Sequence, residues 1–94
     1  MEFEWDEAKN NVNIQKHGID FTDATLIFDN PALIYEDLRR NYGERRFCGI
    51  GMLYSITVSL IYTKRENKIR IISARRARED ERKKYKKLYE GYHS

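Results

Sequence analysis

The stretch RIISARRAREDERKKY, residues 70–85, passes from a β-branched run into a charge-dense one and places Arg75 and Arg76 at the change. A guanidinium keeps its proton near neutral pH, so arginine is no general base, but its planar fork of donors matches phosphate. With Arg65 and Arg70 at the ends of adjacent strands, Arg75 and Arg76 read as a phosphate clamp at the edge of a sheet. The competing structural reading pairs these arginines with the acidic first portion of the chain. Proton transfer at such a clamp requires a second group. His17, followed by Gly18, is the histidine outside the C-terminal tail and belongs to the residue type that titrates near neutrality. Its structural alternative is a favourable charge at a helix C-terminus. Glu44 in YGERR and Glu81 are carboxylate candidates, although for either taken alone an exposed charge is the better reading. Tyr85 has the ring to stack on a base, although its spacing to Leu88, Tyr89 and Tyr92 is that of a core stripe.

No spaced Cys/His ligand set, P-loop, glycine-rich nucleotide motif or Ser-His-Asp arrangement is visible, and no metal or cofactor is expected. Cys48 is the one cysteine, which excludes an intrachain disulfide; between Phe47 and Gly49 it reads as a small strand hydrophobe.

The formal charge of +3 conceals an uneven distribution. Residues 1–37 carry nine acidic and two basic side chains, net −7, and residues 38–94 carry sixteen basic and six acidic, net +10. Residues 64–87 alone hold twelve basic and four acidic groups, a density that marks a polyanion-binding face, most often for nucleic acid. Part of this density is ordinary helix electrostatics: Glu79–Lys83 and Asp80–Lys84 are i,i+4 pairs, with acids leading and lysines trailing.

Ninety-four residues, 40% hydrophobic with one proline, fit a single domain with one modest core, residues 1–94. No apolar run of membrane-spanning length occurs and MEFEWDEAKN is acidic, so neither a membrane span nor a secretory signal is expected, and the protein is read as cytoplasmic. The first helix spans WDEAKNNVNIQKHGI, with Asp6 as N-cap, Trp5 packed back on it and Gly18 as a left-handed C-cap. A short second helix follows from about Thr22 to Phe28, ended by DNPA. LIYED is a short strand, NYGE a turn, and RRFCGIG a strand whose glycines suggest a bulge or a sheet edge. In YSITVSLIYT, Tyr54, Ile56, Val58, Leu60 and Tyr62 form a buried face and Ser55, Thr57, Ser59, Ile61 and Thr63 a small, hydroxylated one. KREN turns the chain and KIRIIS returns antiparallel, with Ile69 and Ile71 on one face and Lys68, Arg70 and Ile72 on the other. The fold class is α+β: two N-terminal helices, an antiparallel sheet of three or four strands to which EFEW adds an edge strand, and a C-terminal helix.

FEWDEAKNNVNIQKHGIDFTDA, followed by IFDNP, GERR, VSLIYTKR and RIISARRA with the ER of a helix start, resembles the BrnT toxins of type II toxin–antitoxin systems from Phe3 to about Tyr85. The resemblance implies a RelE-like fold and sequence-relaxed RNA cleavage without a metal cofactor. It also implies a partner, a BrnA-type ribbon-helix-helix antitoxin, through which alone the protein would meet DNA. The family's motif residues fall on Asp6, Lys9, Asn13, His17, Gly18, Glu44, Arg45, Arg65, Arg70, Ser73, Arg75, Glu81 and Tyr85. One departure concerns a capping position: the family commonly has Thr where this chain has Arg78, which leaves a less sharply capped helix start. On this reading His17, Glu44, Arg65, Arg75 and Arg76 are the catalytic candidates, with His17 or Glu44 as proton carrier. Arg45, Lys64, Arg70, Ser73, Arg78 and Tyr85 are the RNA-binding candidates. Two other functions use the same basic stretch: a non-catalytic nucleic-acid-binding module, and an interaction subunit acting only within a repressor complex.

Overall fold

The structure, a computed structural model, describes residues 1–93, with side chains through residue 91. Strand β1 (Glu2–Glu4) leads into helix α1 (Glu7–His17) and a short α2 (Phe21–Ala24), which tightens into a 3-10 turn at Thr25–Asp29. Strands β2 (Leu33–Glu36), β3 (Arg46–Leu53), β4 (Ile56–Arg65) and β5 (Lys68–Arg76) follow, and α3 (Glu79–His93) ends the chain. The sheet order is β1-β5-β4-β3-β2. It is mixed where an antiparallel sheet was expected, because β1 runs parallel to β5. No hairpin links these two strands, which leaves a parallel pairing open to them. The parallel register places Glu2 opposite Lys68 and Glu4 opposite Arg70 while Phe3 and Ile69 share the core side.

Both faces of the sheet are covered. On one, α1, α2 and the 3-10 turn bury Phe21, Ala24 and Ile27 against Val58, Leu60, Tyr62, Ile71 and Ala74. On the other, α3 brings Tyr85 and the preceding Ala77 against Cys48 and Ile50. Ser59 is buried on this side against Glu81, and Thr63, further along, is buried with its hydroxyl donating to the Arg45 carbonyl at 2.6 Å, so the hydroxylated face of β4 is interior at these two positions. Tyr54, expected in the buried row, lies at φ 55° in the tight link between β3 and β4 and is exposed. The glycines of β3 mark neither bulge nor edge. A Cβ at Gly51 would meet Ile27 Cβ at 3.0 Å, so the glycine admits the 3-10 turn onto an internal strand.

The irregularity lies in β5. Ile61 pairs with Ser73 and Tyr62 with Ile71, which leaves Ile72 as an extra residue. Simple alternation would send Arg75 to the core side with Ile69 and Ile71. The extra residue reverses the phase: Ala74 joins Ile71 in the core and Arg75 stands opposite Ser59 on the α3 side.

Helix α1 begins and ends where expected, with the Asp6 carboxylate accepting from the Lys9 N–H and Gly18 at φ 70°. Its buried residues are asparagines, and they fasten it. Asn13 accepts the Ala74 N–H at 3.1 Å, on the edge of β5 beyond β1, and donates to the Ile19 carbonyl at 2.9 Å. Asn10 accepts the Phe21 N–H at 2.8 Å and donates to Asp20 at 3.0 Å. Among the described residues no helix is long and apolar enough to cross a membrane.

Replacing Asn13 with Ala strands a buried N–H and a buried carbonyl at once. At about 1–3 kcal/mol for each unsatisfied group, Asn13→Ala is expected to lower unfolding free energy by roughly 2–4 kcal/mol, read by denaturant titration.

Candidate functional site

At the C-terminal end of β5 the guanidinium of Arg75 meets the carboxylate of Glu81, from the first turn of α3, through two bonds of 2.8 and 3.1 Å. Only 4% of the Glu81 side chain is exposed, against 31% for Arg75. Glu81 also accepts the Arg78 N–H at 2.8 Å, which is the reach-back half of a capping box. Arginine has no acceptor, so position 78 cannot supply the other half, and the carboxylate caps the helix from within while fixing Arg75. The polar chain continues beneath the pair. The Ser59 hydroxyl donates to Glu81 at 3.5 Å, and Cys48 Sγ lies 3.3 Å from the Ser59 oxygen. A hydroxyl carries one proton; with that of Ser59 directed at Glu81, the Cys48 thiol is the donor to Ser59.

The electrostatics follow from this arrangement. Burial raises the Glu81 carboxyl, but the bonds from Arg75 and from the Arg78 N–H outweigh it and hold the group below the ordinary carboxylate range. The same pairing raises Arg75 further above its usual value. Tyr35, whose phenol hydrogen-bonds Cys48 and is partly buried, is pushed up to about 12.

Beside this pair a cleft of about 390 Å³ is lined by Lys16, His17, Arg75, Arg76 and Arg78. The end of α1 supplies the first two, and the end of β5 with the turn after it supplies the rest. Arg75 is held by Glu81, and Arg78 lies 3.5 Å from Asp80. Among the described residues Lys16, His17 and Arg76 form no ion pair. Four cations and one imidazole therefore surround one concavity, an arrangement suited to a phosphodiester and to moving a proton beside it.

The four arginines of the expected clamp do not meet. Antiparallel strands put the C-terminal ends of β4 and β5 at opposite ends of the sheet. Arg75 pairs with Ser59 and Arg65 lies six positions further along β4, a separation of about 20 Å. At that far end Glu44 binds Arg65 at 3.2 Å and Arg46 at 3.4 Å. Burial raises the Glu44 carboxyl, and these two arginines outweigh it, lowering the group overall. Arg45 pairs with Glu36 at 3.0 Å, and both Arg45 and Lys64 sit over the Phe47 ring. Arg70 is bound to Glu4 at 2.9 Å, the pairing with the acidic segment that competes with phosphate binding. Ser73 lies in a neighbouring depression against α1. The Tyr85 ring is buried, with its hydroxyl donating to the Pro31 carbonyl at 2.9 Å. The side chains of Tyr92, of the expected stripe, and of His93 lie outside the described ones. Lys16, Ser59 and Tyr35 join the site without having been singled out. Lys16 had a signal, its adjacency to His17, whereas Ser59 and Tyr35 depend on pairings across the sheet.

Residues 5–81 match the family model described as ribonuclease toxin, BrnT, of type II toxin-antitoxin system. No curated protein matches the chain.

The Arg75–Glu81 pair carries a pH signature. A carboxyl whose folded pKa is depressed contributes stability above its unfolded value, near 4.5, and loses it as pH falls through the folded value. Glu81→Gln is expected to cost about 1–3 kcal/mol at pH 7. Its unfolding free energy should decline less than the wild type's between about pH 5 and 3. Parallel curves for the two proteins would remove Glu81 from the acid limb, leaving it to Asp37, which Arg39 holds far below the usual range against burial, and to the other lowered carboxyls.

Proposed function

The chain belongs to the BrnT family of ribonuclease toxins of type II toxin–antitoxin systems, and from that premise we propose that it is an endoribonuclease whose active site is the cleft of Lys16, His17, Arg75, Arg76 and Arg78. The observation that carries the assignment is the convergence of one imidazole and four cations on one concavity. In the proposed reaction a 2′-hydroxyl of the RNA attacks the adjacent phosphorus, the bond to the 5′-oxygen of the next nucleotide breaks, and a 2′,3′-cyclic phosphate and a 5′-hydroxyl remain. One proton leaves the nucleophile and one reaches the leaving oxygen; His17 is the carrier. Arg75, oriented by Glu81, and Arg76 stabilise the charge that grows on the phosphorane oxygens. The nucleophile is internal to the substrate and guanidinium groups supply the positive charge, so the proposal includes no metal. The order of elements, a short edge strand and two helices before the four main strands and a C-terminal helix, supports a RelE-like single domain. The paired partner is proposed to be a BrnA-type ribbon-helix-helix antitoxin, and the consequence of cleavage to be arrested translation in the cytoplasm.

Incubation of the purified protein with end-labelled RNA in EDTA is expected to give cleavage ending in cyclic phosphate. RNA that is bound but left intact would indicate a non-catalytic module, and growth unaffected by expression of the protein alone an interaction subunit. His17→Ala is expected to slow cleavage by about 10²-fold or more with RNA affinity nearly unchanged. Arg75→Lys keeps the charge and loses the fork, with an expected loss of about 10²-fold. Full activity in both variants, with activity lost in Arg65→Ala, would move the site to the Glu44 end of the sheet.

A further inference from the structure

Three depressions run in sequence across the open end of β5. The first, about 370 Å³ between α1 and β5, is lined by Lys9, Val12, Asn13, Ile72 and Ser73 and shares Lys16 and His17 with the cationic cleft. The cleft in turn shares Arg75 and Arg78 with a third, of about 380 Å³, on the α3 side of the sheet. Shared walls make the three one groove. It passes from α1 over the end of β5 to β2, with the cations at its middle.

The third depression differs from the other two. Tyr35 stands on it with 46% of its surface exposed and Leu38 with 79%, beside Ile61 and Cys48. Tyr35 pairs with Cys48 across β2 and β3, which sets its half-exposed side chain beside the thiol. The rim is polar: Arg75 and Arg78 on one side, Glu36 and Asp37 on the other. Asp37 is fully engaged, accepting from Arg39 and Tyr42, so it shapes the wall. An open aromatic ring, an aliphatic floor and charged groups at the margin, adjoining a phosphate cleft, are what an unstacked nucleobase requires. At about 300–1,000 Å³ for small-molecule sites generally, the depression has the volume for one.

We propose that the groove takes single-stranded RNA with the scissile phosphate over Arg75 and Arg76 and a neighbouring base stacked on Tyr35, so that the pocket of Tyr35, Leu38 and Ile61 selects the nucleotide that flanks the cut. The inference rests on the cleavage reading above, but the pocket has a readout that needs no cleavage. Titration with a dinucleotide carrying a 2′-O-methyl group, which cannot be cut, is expected to shift the Tyr35 ring and Ile61 methyl NMR signals. Tyr35→Ala is expected to weaken that binding by roughly 10-fold or more, and Tyr35→Phe, which keeps the ring, to retain most of it. On RNA of random sequence, Tyr35→Ala should still cut but with its preference at the flanking position flattened. Unmoved Tyr35 and Ile61 signals, or an unchanged preference in Tyr35→Ala, overturn the base pocket while the ribonuclease assignment stands. A wild-type protein that cuts nothing yet shifts the Tyr35 signals overturns the assignment and keeps the pocket as a nucleotide site. Should the Ala variant fail to fold, the dinucleotide titration of wild type decides alone.

Discussion

The bidentate contact between Arg75 and Glu81 is the hinge on which the site depends. It joins the last turns of the sheet to the first turn of α3, and it does so from inside, since the carboxylate is almost wholly buried. A buried carboxylate is expensive unless every oxygen is engaged. Here the Arg75 fork, the Arg78 N–H and the Ser59 hydroxyl meet that demand together. One residue thereby caps a helix, orients a guanidinium and anchors the polar chain that runs under β4 to Tyr35. Loss of the carboxylate would be felt at all three places, in stability and in chemistry alike.

The charge imbalance between the two parts of the chain is resolved at one end of the sheet and left open at the other. Glu2 and Glu4 face Lys68 and Arg70 across the β1–β5 pair, and Glu44 binds Arg46 and Arg65. At the end of β5 no segment of the acidic portion arrives to cover Arg76. Strand β1 stops after pairing with Arg70, and α1 presents its basic C-terminus there. In the cleft, Lys16, His17 and Arg76 stand without an acidic partner among the described residues.

Much of the fold was legible along the chain, because helix caps and two-residue links are local. Asp6 and Gly18 bounded α1, and the alternation in VSLIY marked β4. The exposed Glu66–Asn67 link fixed the β4–β5 hairpin. What sequence could not display was pairing at a distance. The parallel pairing of β1 with β5 joins residues more than sixty positions apart. The burial of Ser59 comes from α3, and the separation of Arg65 from Arg75 comes from strand direction. His17, Arg75, Arg76 and Arg78 were each visible as chemically suited residues, and the structure gathers these four. Glu44, Arg65, Arg45 and Lys64 were equally suited by type and are gathered elsewhere. Residue type identified the candidates; only topology could sort them into two groups.

The extra residue in β5 divides that strand into two halves of opposite phase. Ile69 and Ile71 belong to one reckoning of inside and outside, Ser73 and Arg75 to the other. The chain's chemistry is thereby written in a different frame from its core, though both share one strand. Were Ile72 taken into the ladder as an ordinary pair, the two faces would be exchanged for everything after it, with Arg75 opposite Val58 and Ala74 opposite Ser59. Removal of the position would instead leave a strand that alternates regularly, with Arg75 still opposite Ser59. The kink, rather than the side chain it carries, is therefore what lets a strand of this length serve a core at one end and a charged site at the other.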